Sequence, residues 1–313
     1  MKHTSWNGHH GRILECQGEY EVIECEVCGF AHIIPFPAVE SIEAMYRDQY
    51  YGEMIPDYIE RHTQDQDWWH LVHSGRLEAI EALLPDGGKK LLDIGSGPGL
   101  FLQVASEKGW KGVGFEPSTQ AWQHSTQVLG MDVRQEFFTE HTDVGEDVYN
   151  AVHMSDVLEH IKDPRALLQG VRKALCPGGV LCVAVPNDFN PIQTALREEG
   201  GVDPWWISAP DHINYFSFES LQRLLENAGF EVKKREASFP IDVFLLLGQD
   251  YVTDDSVGRR CHGWRMDLER QFAKLGMQEA LSDVYQALAK HGLGRHVVMY
   301  ATKSAATTPP ETR

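Results

Sequence analysis

A chain of 313 residues, 42% hydrophobic and 24% charged, has the composition of a globular protein with room for one large domain and attachments or for two modest domains. Acidic residues outnumber basic ones 46 to 28, a formal charge of −18; phosphate backbones are met by Lys and Arg, so no nucleic-acid partner is expected. No run approaches the roughly 18 apolar residues of a membrane span, and "MKHTSWNGHH" has no signal-peptide core, so neither a membrane span nor export is expected and the expected compartment is the cytoplasm.

The first segment, residues 1–40, is short, bears Cys and His, and closes in the proline-broken "HIIPFPA". Within it "CEVCGFAH" (25–32) places a C-x2-C pair before His32, with Cys16 upstream. In a reducing compartment such close pairs read as metal ligands rather than disulfides. Zinc takes four thiolate or imidazole ligands, and C-x2-C is the usual two-ligand turn, which Gly29 helps to bend. A complete ribbon shows two such pairs. Here the upstream half offers Cys16, His9 and His10, and the preferred Zn2+ set is Cys16, Cys25, Cys28 and His32. The alternative is a reduced C-x-x-C without metal. Cys176, Cys182 and Cys261 read as isolated, mostly buried thiols.

Residues 41–84 read as a helical cap rich in Tyr and Trp ("MYRDQYYG", "DWWHLVH"). From Lys90 onward strand, turn and helix alternate. Strands are expected at 91–94, 112–115, 148–154, 179–185 and 230–237. Asp163 and Pro164 suit the cap and first position of a helix whose inward face is Leu167, Leu168, Val171, Ala174 and Leu175. Ser217 starts another helix, which Gly229 ends. This alternation predicts an α/β fold around a mostly parallel sheet covered on both faces. The core is assigned to 85–239 and 293–303, with a helical insertion at 240–292 before the last strand as a candidate acceptor-site element. The tail 304–313 is expected to be disordered.

"LLDIGSGPG" (91–99) carries the most information. An apolar strand ends at Asp93 and Ile94, glycines follow at 95, 97 and 99, and a helix begins near Leu100. Glycine is required where the chain turns sharply and where backbone must meet a ligand without a side chain between. The dinucleotide pattern G-x-G-x-x-G would put Gly or Ala at 100, where Leu100 stands, so the loop fits NAD less well. Glu116 ends the next strand, 17 residues past Gly99, where a carboxylate can accept hydrogen bonds from both hydroxyls of a ribose. A nucleoside-type cofactor is the expectation, against a purely structural turn.

At these residues the chain resembles class I S-adenosylmethionine methyltransferases, over about 85–237. "LLDIGSGPG" resembles their first motif and Glu116 their ribose-binding acid. "DVYNAVHMSDVLEHIKDP" (147–164) is similar to their fourth strand and following loop, "LCPGGVLCVAVPN" (175–187) to the turn into the fifth, and "PDHINYFSFESLQRLLENAGFEV" (210–232) to a segment of small-molecule members. The resemblance implies a Rossmann-like, doubly wound, seven-stranded sheet and S-adenosyl-L-methionine as cofactor. It implies that Asp93 and the loop around Gly95, Ser96 and Gly97 hold its methionine part, that Gly99 belongs to the cofactor-binding loop, that Phe137 borders the adenine, and that Ser155 lies near the sulfonium. The N-terminal segment with "IPFPAVESIEAMYRDQYYG" is similar to the zinc-ribbon start of sugar and surface-polysaccharide methyltransferases, and "DVLEH" to a cluster in ubiquinone-pathway enzymes.

Methyl transfer is a displacement at a sulfonium methyl, and a hydroxyl acceptor also needs a base. His153, His160 and His212 are expected in loops at the carboxyl edge of the sheet. His212, beside Asp211 in "PDHINYF", is the first choice of base; related sugar C-methyltransferases carry a Glu-His pair in a similar setting, with a tyrosine where Ala209 stands here. His160 is the second candidate, with a bracing role as its alternative. Trp205, Trp206, Tyr215 and Phe216 either wall a pocket or belong to the core. Arg259, Arg260 and Arg265 in the insertion either meet an anionic acceptor group or form helix-surface ion pairs. The expected activity is methyl transfer to a small-molecule acceptor, a hydroxyl of a sugar or glycan precursor; the rivals are a sugar C-methyltransferase and a non-catalytic cofactor-binding scaffold.

Overall fold

The computed structural model describes residues 2–38, 44–47, 57–85 and 87–304. The expected helical cap falls outside the described residues at 41–43 and 48–56, and the expected disordered tail does so from 305 onward. The chain forms two compact units, each assembled from discontinuous segments. One comprises Met1–Phe36, Ala184–Arg223 and Arg235–Val298; the other comprises Pro37–Val183, Leu224–Lys234 and Met299–Arg313.

The first unit begins with four antiparallel strands, β1 (His3–Trp6), β2 (His9–Gln17), β3 (Tyr20–Cys25) and β4 (Ala31–Ile34). Asn7 and Gly8 join β1 to β2 with φ of 45° and 87°, the double left-handed turn that matches the twist of a two-residue hairpin. A two-residue strand, β10 (Asn214–Tyr215), adds to the edge of β4, with Asn214 opposite His32 and Tyr215 opposite Ala31. Side chains alternate across this sheet. Val22 and Ile33 face one way, into a core with Trp206, Ile207, Ile213 and Tyr215. Ile23, Cys25 and Ile34 form a second cluster. The same unit holds the helices α6 (Pro191–Gly200), α8 (Val243–Leu246), α9 (Asp255–Lys274) and α10 (Gln278–Lys290). The last three make up the expected insertion before the final strand.

The second unit opens with α1 (Tyr58–Gln64) and α2 (Gln66–Leu83), then alternates β5 (Lys90–Ile94), α3 (Leu100–Glu107), β6 (Lys111–Phe115), α4 (Thr119–Gln123), β7 (Val133–Arg134), β8 (Tyr149–Ser155) and α5 (Pro164–Ala174). Strands β9 (Leu175–Pro186), β11 (Phe230–Ala237) and β12 (His296–Lys303) and helix α7 (Phe218–Asn227) complete the elements. The seven-stranded sheet runs β11-β12-β9-β8-β5-β6-β7, and the unit takes residues 175–183, 230–234 and 299–303 of its three late strands. Strand β5 is parallel to β6 on one side and to β8 on the other, so the order reverses at its carboxyl end, where doubly wound sheets open a ligand crevice. Helix α5 starts as its sequence predicts: the Asp163 side chain accepts the N–H groups of Arg165 and Ala166, Pro164 takes the first position, and Leu167, Leu168, Val171 and Ala174 are buried. The expected strands are all present, within four residues at each end.

Candidate active site

The crevice at the end of β5 is built by the glycine loop. Gly95, Gly97 and Gly99 have φ of 67°, 52° and 90°, the left-handed region that glycine enters without a steric penalty. At Gly95 a Cβ would also stand 2.5 Å from Val157 Cγ2, so the close approach of the loop to the segment after β8 depends on glycine there. Gly99 caps α3, and a Cβ on it would meet Ser125 Cβ at 2.7 Å, so it lets the helix start close against the turn after α4.

Glu116 closes the cradle from β6. Its Oε2 accepts the Gly97 N–H and its Oε1 the Ser118 N–H, both at 2.8 Å. Two backbone donors occupy half of the carboxylate's acceptor capacity, which leaves lone pairs for a diol. The group is 5% exposed, and burial lifts its pKa to about 7 against those two hydrogen bonds. Asp93, on β5, accepts a hydrogen bond from His153 Nδ1 at 2.7 Å, and Arg76 Nη1 donates to His153 Nε2 at 3.0 Å. Burial pushes Asp93 well above its ordinary value and His153 well below its own, with Arg76 opposing the first shift and adding to the second. Both movements favour the uncharged forms of a pair joined by one hydrogen bond. Asp93 Oδ2 and Ser96 Oγ are buried without a hydrogen-bond partner in this structure. Orphaned polar atoms beside a glycine cradle are what a polar ligand satisfies. A nucleoside cofactor with an amino-acid tail fits this set of donors and acceptors.

The cavity that opens here is lined by Asp93, Gly95, Ser96, Gly97, Glu116 and Phe137. Ser155 and His160 line it as well. Ser155 ends β8 and donates to Asp156 Oδ2 at 2.8 Å. His160 closes a 3-10 turn after β8, and the Tyr46 hydroxyl lies 2.5 Å from its Nδ1. His153 sits within β8 rather than in a loop, because its alternation places it on a buried face of the strand. A stack of rings lines the same cavity. Tyr58 lies 4.0 Å from His62, which lies 4.4 Å from Trp69; Trp69 is followed by His73 at 5.5 Å. Sequence reasoning named this aromatic segment only as helical. The i,i+4 recurrence of rings at 58 and 62, and again at 69 and 73, marks one face on each of two successive helices and was the available signal.

His212 and Asp211 belong to the other unit, in the loop before β10. The His212 N–H donates to Ser208 O at 2.7 Å, and its Nδ1 lies 3.7 Å from Asp188 Oδ2. Of the nearby aromatic residues, Trp206 and Tyr215 pack on Val22 and Ile33 and also line a cavity with Asp188 and Phe189, and Phe216 packs on Phe30 with ring centroids 5.1 Å apart. In the insertion, Arg265 pairs with Glu269 one turn on, and Glu269 also accepts from Tyr285; Arg260 lies over the Trp264 ring at 5.7 Å. Arg265 thus makes the helix ion pair of the second reading, whereas Arg260 meets an aromatic ring.

The cysteine segment brings together His9, Cys25, Cys28 and His32, whose ligand atoms all lie within 4.8 Å of one another. Cys16 is not in the group. The register pairs Cys16 with Glu21, four residues along β3 from Cys25, which is about 13 Å at the rise of a strand, and its side chain is exposed. His9 takes that place because it lies two residues before Gly11, the register partner of Cys25, on the same face. Its Nδ1 is 3.4 Å from Cys28 Sγ and 3.7 Å from Cys25 Sγ. Adjacent ligands on a tetrahedral zinc ion stand about 3.3–3.8 Å apart, given its bond lengths. His32 turns Nδ1 to Ile33 O at 3.0 Å and leaves Nε2 buried without a partner. Burial lowers His32 to about 4, which keeps the imidazole in its neutral, ligating form. The donor set fits a zinc ion.

Residues 68–234, more than half of the chain, match a sequence family described as a methyltransferase domain. The ubiquinone biosynthesis O-methyltransferase of Pectobacterium atrosepticum is 32% identical over 97 residues, 29% of this chain and 40% of that protein. Its counterpart from Erwinia tasmaniensis is 32% identical over 136 residues, covering 38% and 56%. The chain thus spans about half the length of the curated relatives it matches. Among solved structures, a chain from the Haloferax volcanii complex between the Trm112 methyltransferase activator and a methyltransferase is similar in fold, with a TM-score of 0.51 and 16% identity, covering 84% of this chain and 98% of that one.

Proposed function

Because the chain belongs to the methyltransferase domain family, we propose that it transfers a methyl group from S-adenosylmethionine to a small-molecule acceptor, a hydroxyl of a sugar or glycan precursor, with His212 as general base. The observation that carries the reading is the cradle at the end of β5: Glu116 with two lone-pair sites to spare, and Asp93 Oδ2 and Ser96 Oγ buried without partners. When bound, the cofactor supplies an electrophilic methyl on a sulfonium. Glu116 accepts the ribose hydroxyls, the loop at Gly95–Gly97 and Asp93 hold the methionine part, and Phe137 borders the adenine. Ser155 is assigned to the sulfonium side of the cavity. His212 accepts the proton that the hydroxyl loses as the new O–C bond forms and the C–S bond breaks. His160, held by Tyr46, braces the loop after β8. The likeness to ubiquinone O-methyltransferases supports an oxygen acceptor.

The reading includes a structural zinc ion on His9, Cys25, Cys28 and His32, and a reducing, cytoplasmic setting that keeps those thiols available. Among the described residues no helix is long and apolar enough to cross a membrane. Methyl-labelled S-adenosylmethionine incubated with the protein and a metabolite extract tests the activity, with labelled products identified by mass spectrometry. A labelled hydroxylated sugar derivative is expected. Label found only on protein or nucleic acid would overturn the acceptor class. His212→Ala should reduce incorporation by about 10²–10⁴-fold, the scale of a general base, with cofactor affinity nearly unchanged.

A further inference from the structure

The loop that follows β9 holds a buried carboxylate for which the proposed reaction has so far given no use. Asp188 is 4% exposed. Its Oδ1 accepts a hydrogen bond from Arg295 Nη1 at 3.0 Å, and its Oδ2 stands 3.7 Å from His212 Nδ1.

The loop is fixed on several sides. Asn187 Nδ2 donates to Gly292 O at 2.8 Å and Gly294 O at 3.0 Å, and the Asn187 N–H donates to Arg295 O at 2.9 Å. Asn190 caps α6 and donates to Asp242 Oδ2 at 2.8 Å, while Tyr251 donates to the other Asp242 oxygen. Phe189, between them, is held at φ of 59°, a conformation that costs a non-glycine residue energy and persists only where surroundings dictate it. A strained, multiply anchored loop that delivers one buried carboxylate to one imidazole nitrogen is arranged for placement.

We propose that Asp188, anchored by Arg295, is the positioning residue of the His212 base. The inference rests on the reading of His212 given above. A carboxylate facing Nδ1 favours the tautomer with its proton on Nδ1 and leaves Nε2 as the proton acceptor. When Nε2 takes the acceptor's proton, the imidazolium forms beside a carboxylate that Arg295 keeps in place. Asp188→Asn is nearly isosteric and reverses this preference. With its carbonyl oxygen kept on Arg295, its NH2 group faces His212 and requires Nδ1 to accept, so the proton moves to Nε2.

Two measurements test this, with melting curves and cofactor calorimetry to show that the variants fold. In histidine-labelled protein, long-range 1H–15N correlation at a pH about two units above the ordinary imidazole value identifies the tautomer, and the His212 signal is assigned by its absence in His212→Gln. The wild type should show the Nδ1–H pattern and Asp188→Asn the Nε2–H pattern. In the extract assay, Asp188→Asn should lower incorporation by about 10²–10⁴-fold, and adding it to His212→Ala should lower it little further, because the two residues act as one unit. A structural role alone would leave the tautomer in place and add its loss to that of His212→Ala. If His212→Ala abolishes incorporation while Asp188→Asn changes neither tautomer nor rate, this inference fails and the base stands. If His212→Ala retains incorporation, the base reading fails and this inference falls with it.

Discussion

At Glu116 the fold buries a carboxylate and offers it two backbone N–H groups, and burial prevails, lifting the carboxyl from an ordinary 4.5 to about 7. The cofactor-free folded state therefore holds this proton more tightly than the unfolded chain does. The stability contributed by the protonated group is complete below about 4.5 and is lost as pH rises through about 7. Ribose hydroxyls donate to the ionised form, so cofactor affinity should climb as pH rises through 7 and then level off. Glu116→Gln keeps the shape and removes the titration. It is expected to weaken S-adenosylhomocysteine binding by roughly 1.5–3 kcal/mol, the range for hydrogen bonds to a charged group, and to flatten the pH dependence. Calorimetry between about pH 6 and 8 reads both effects; a wild-type affinity that ignores pH would count against the carboxylate's role. Glu116 was legible in sequence because a strand-end acid at fixed distance from a glycine loop has a local cause. Asp188 was not, since its importance comes from contacts with residues 212 and 295 that only folding brings near it.

Elements with local signals read well from sequence. The Asp163–Pro164 start of α5 and the alternation from Lys90 to Ala237 gave most of the second unit's strands and helices. The N-terminal sheet was read by its cysteines instead, although Asn7-Gly8 between two alternating runs is a strong hairpin signal. Its edge strand β10 has two residues and pairs across some 180 positions of chain, so no local pattern encodes it. The ligand set follows from that sheet. Register puts His9 beside Cys25 and leaves Cys16 at the far end of β3, whereas spacing along the chain favoured Cys16. His9→Ala, or Cys25→Ser with Cys28→Ser, should therefore lower zinc from about one ion per chain to a small fraction, and Cys16→Ser should leave it unchanged. Elemental analysis of purified protein decides the matter. A zinc loss in Cys16→Ser equal to that in His9→Ala would mean that the ligand set is wrong, and a wild type free of zinc would leave the segment a plain antiparallel sheet.

For the whole molecule, the formal charge of −18 and the family match bear on partners and activity, and neither reveals how the chain is divided. The sequence suggested a core of two separated stretches, 85–239 and 293–303; each compact unit gathers three, because strands β9, β11 and β12 pass from one unit into the other. The proposed cofactor cradle and the candidate zinc ligands fall in different units, so each ligand is tested on its own. A ligand that binds only the folded state stabilises it by about 2.7 kcal/mol at a hundredfold excess over its Kd. For a domain of this size that amounts to a rise in Tm of about 5–10 °C. S-adenosylhomocysteine should produce that rise, and NAD should produce none, because Leu100 stands where the dinucleotide fingerprint needs Gly or Ala. Chelation should lower Tm by loosening residues 1–36 while S-adenosylhomocysteine still binds with its original affinity. Scanning calorimetry with each ligand, with and without chelator, separates the two contributions. An equal rise with NAD would remove the basis for a methyltransferase cofactor at Gly95–Gly99, since the loop would then be serving a dinucleotide.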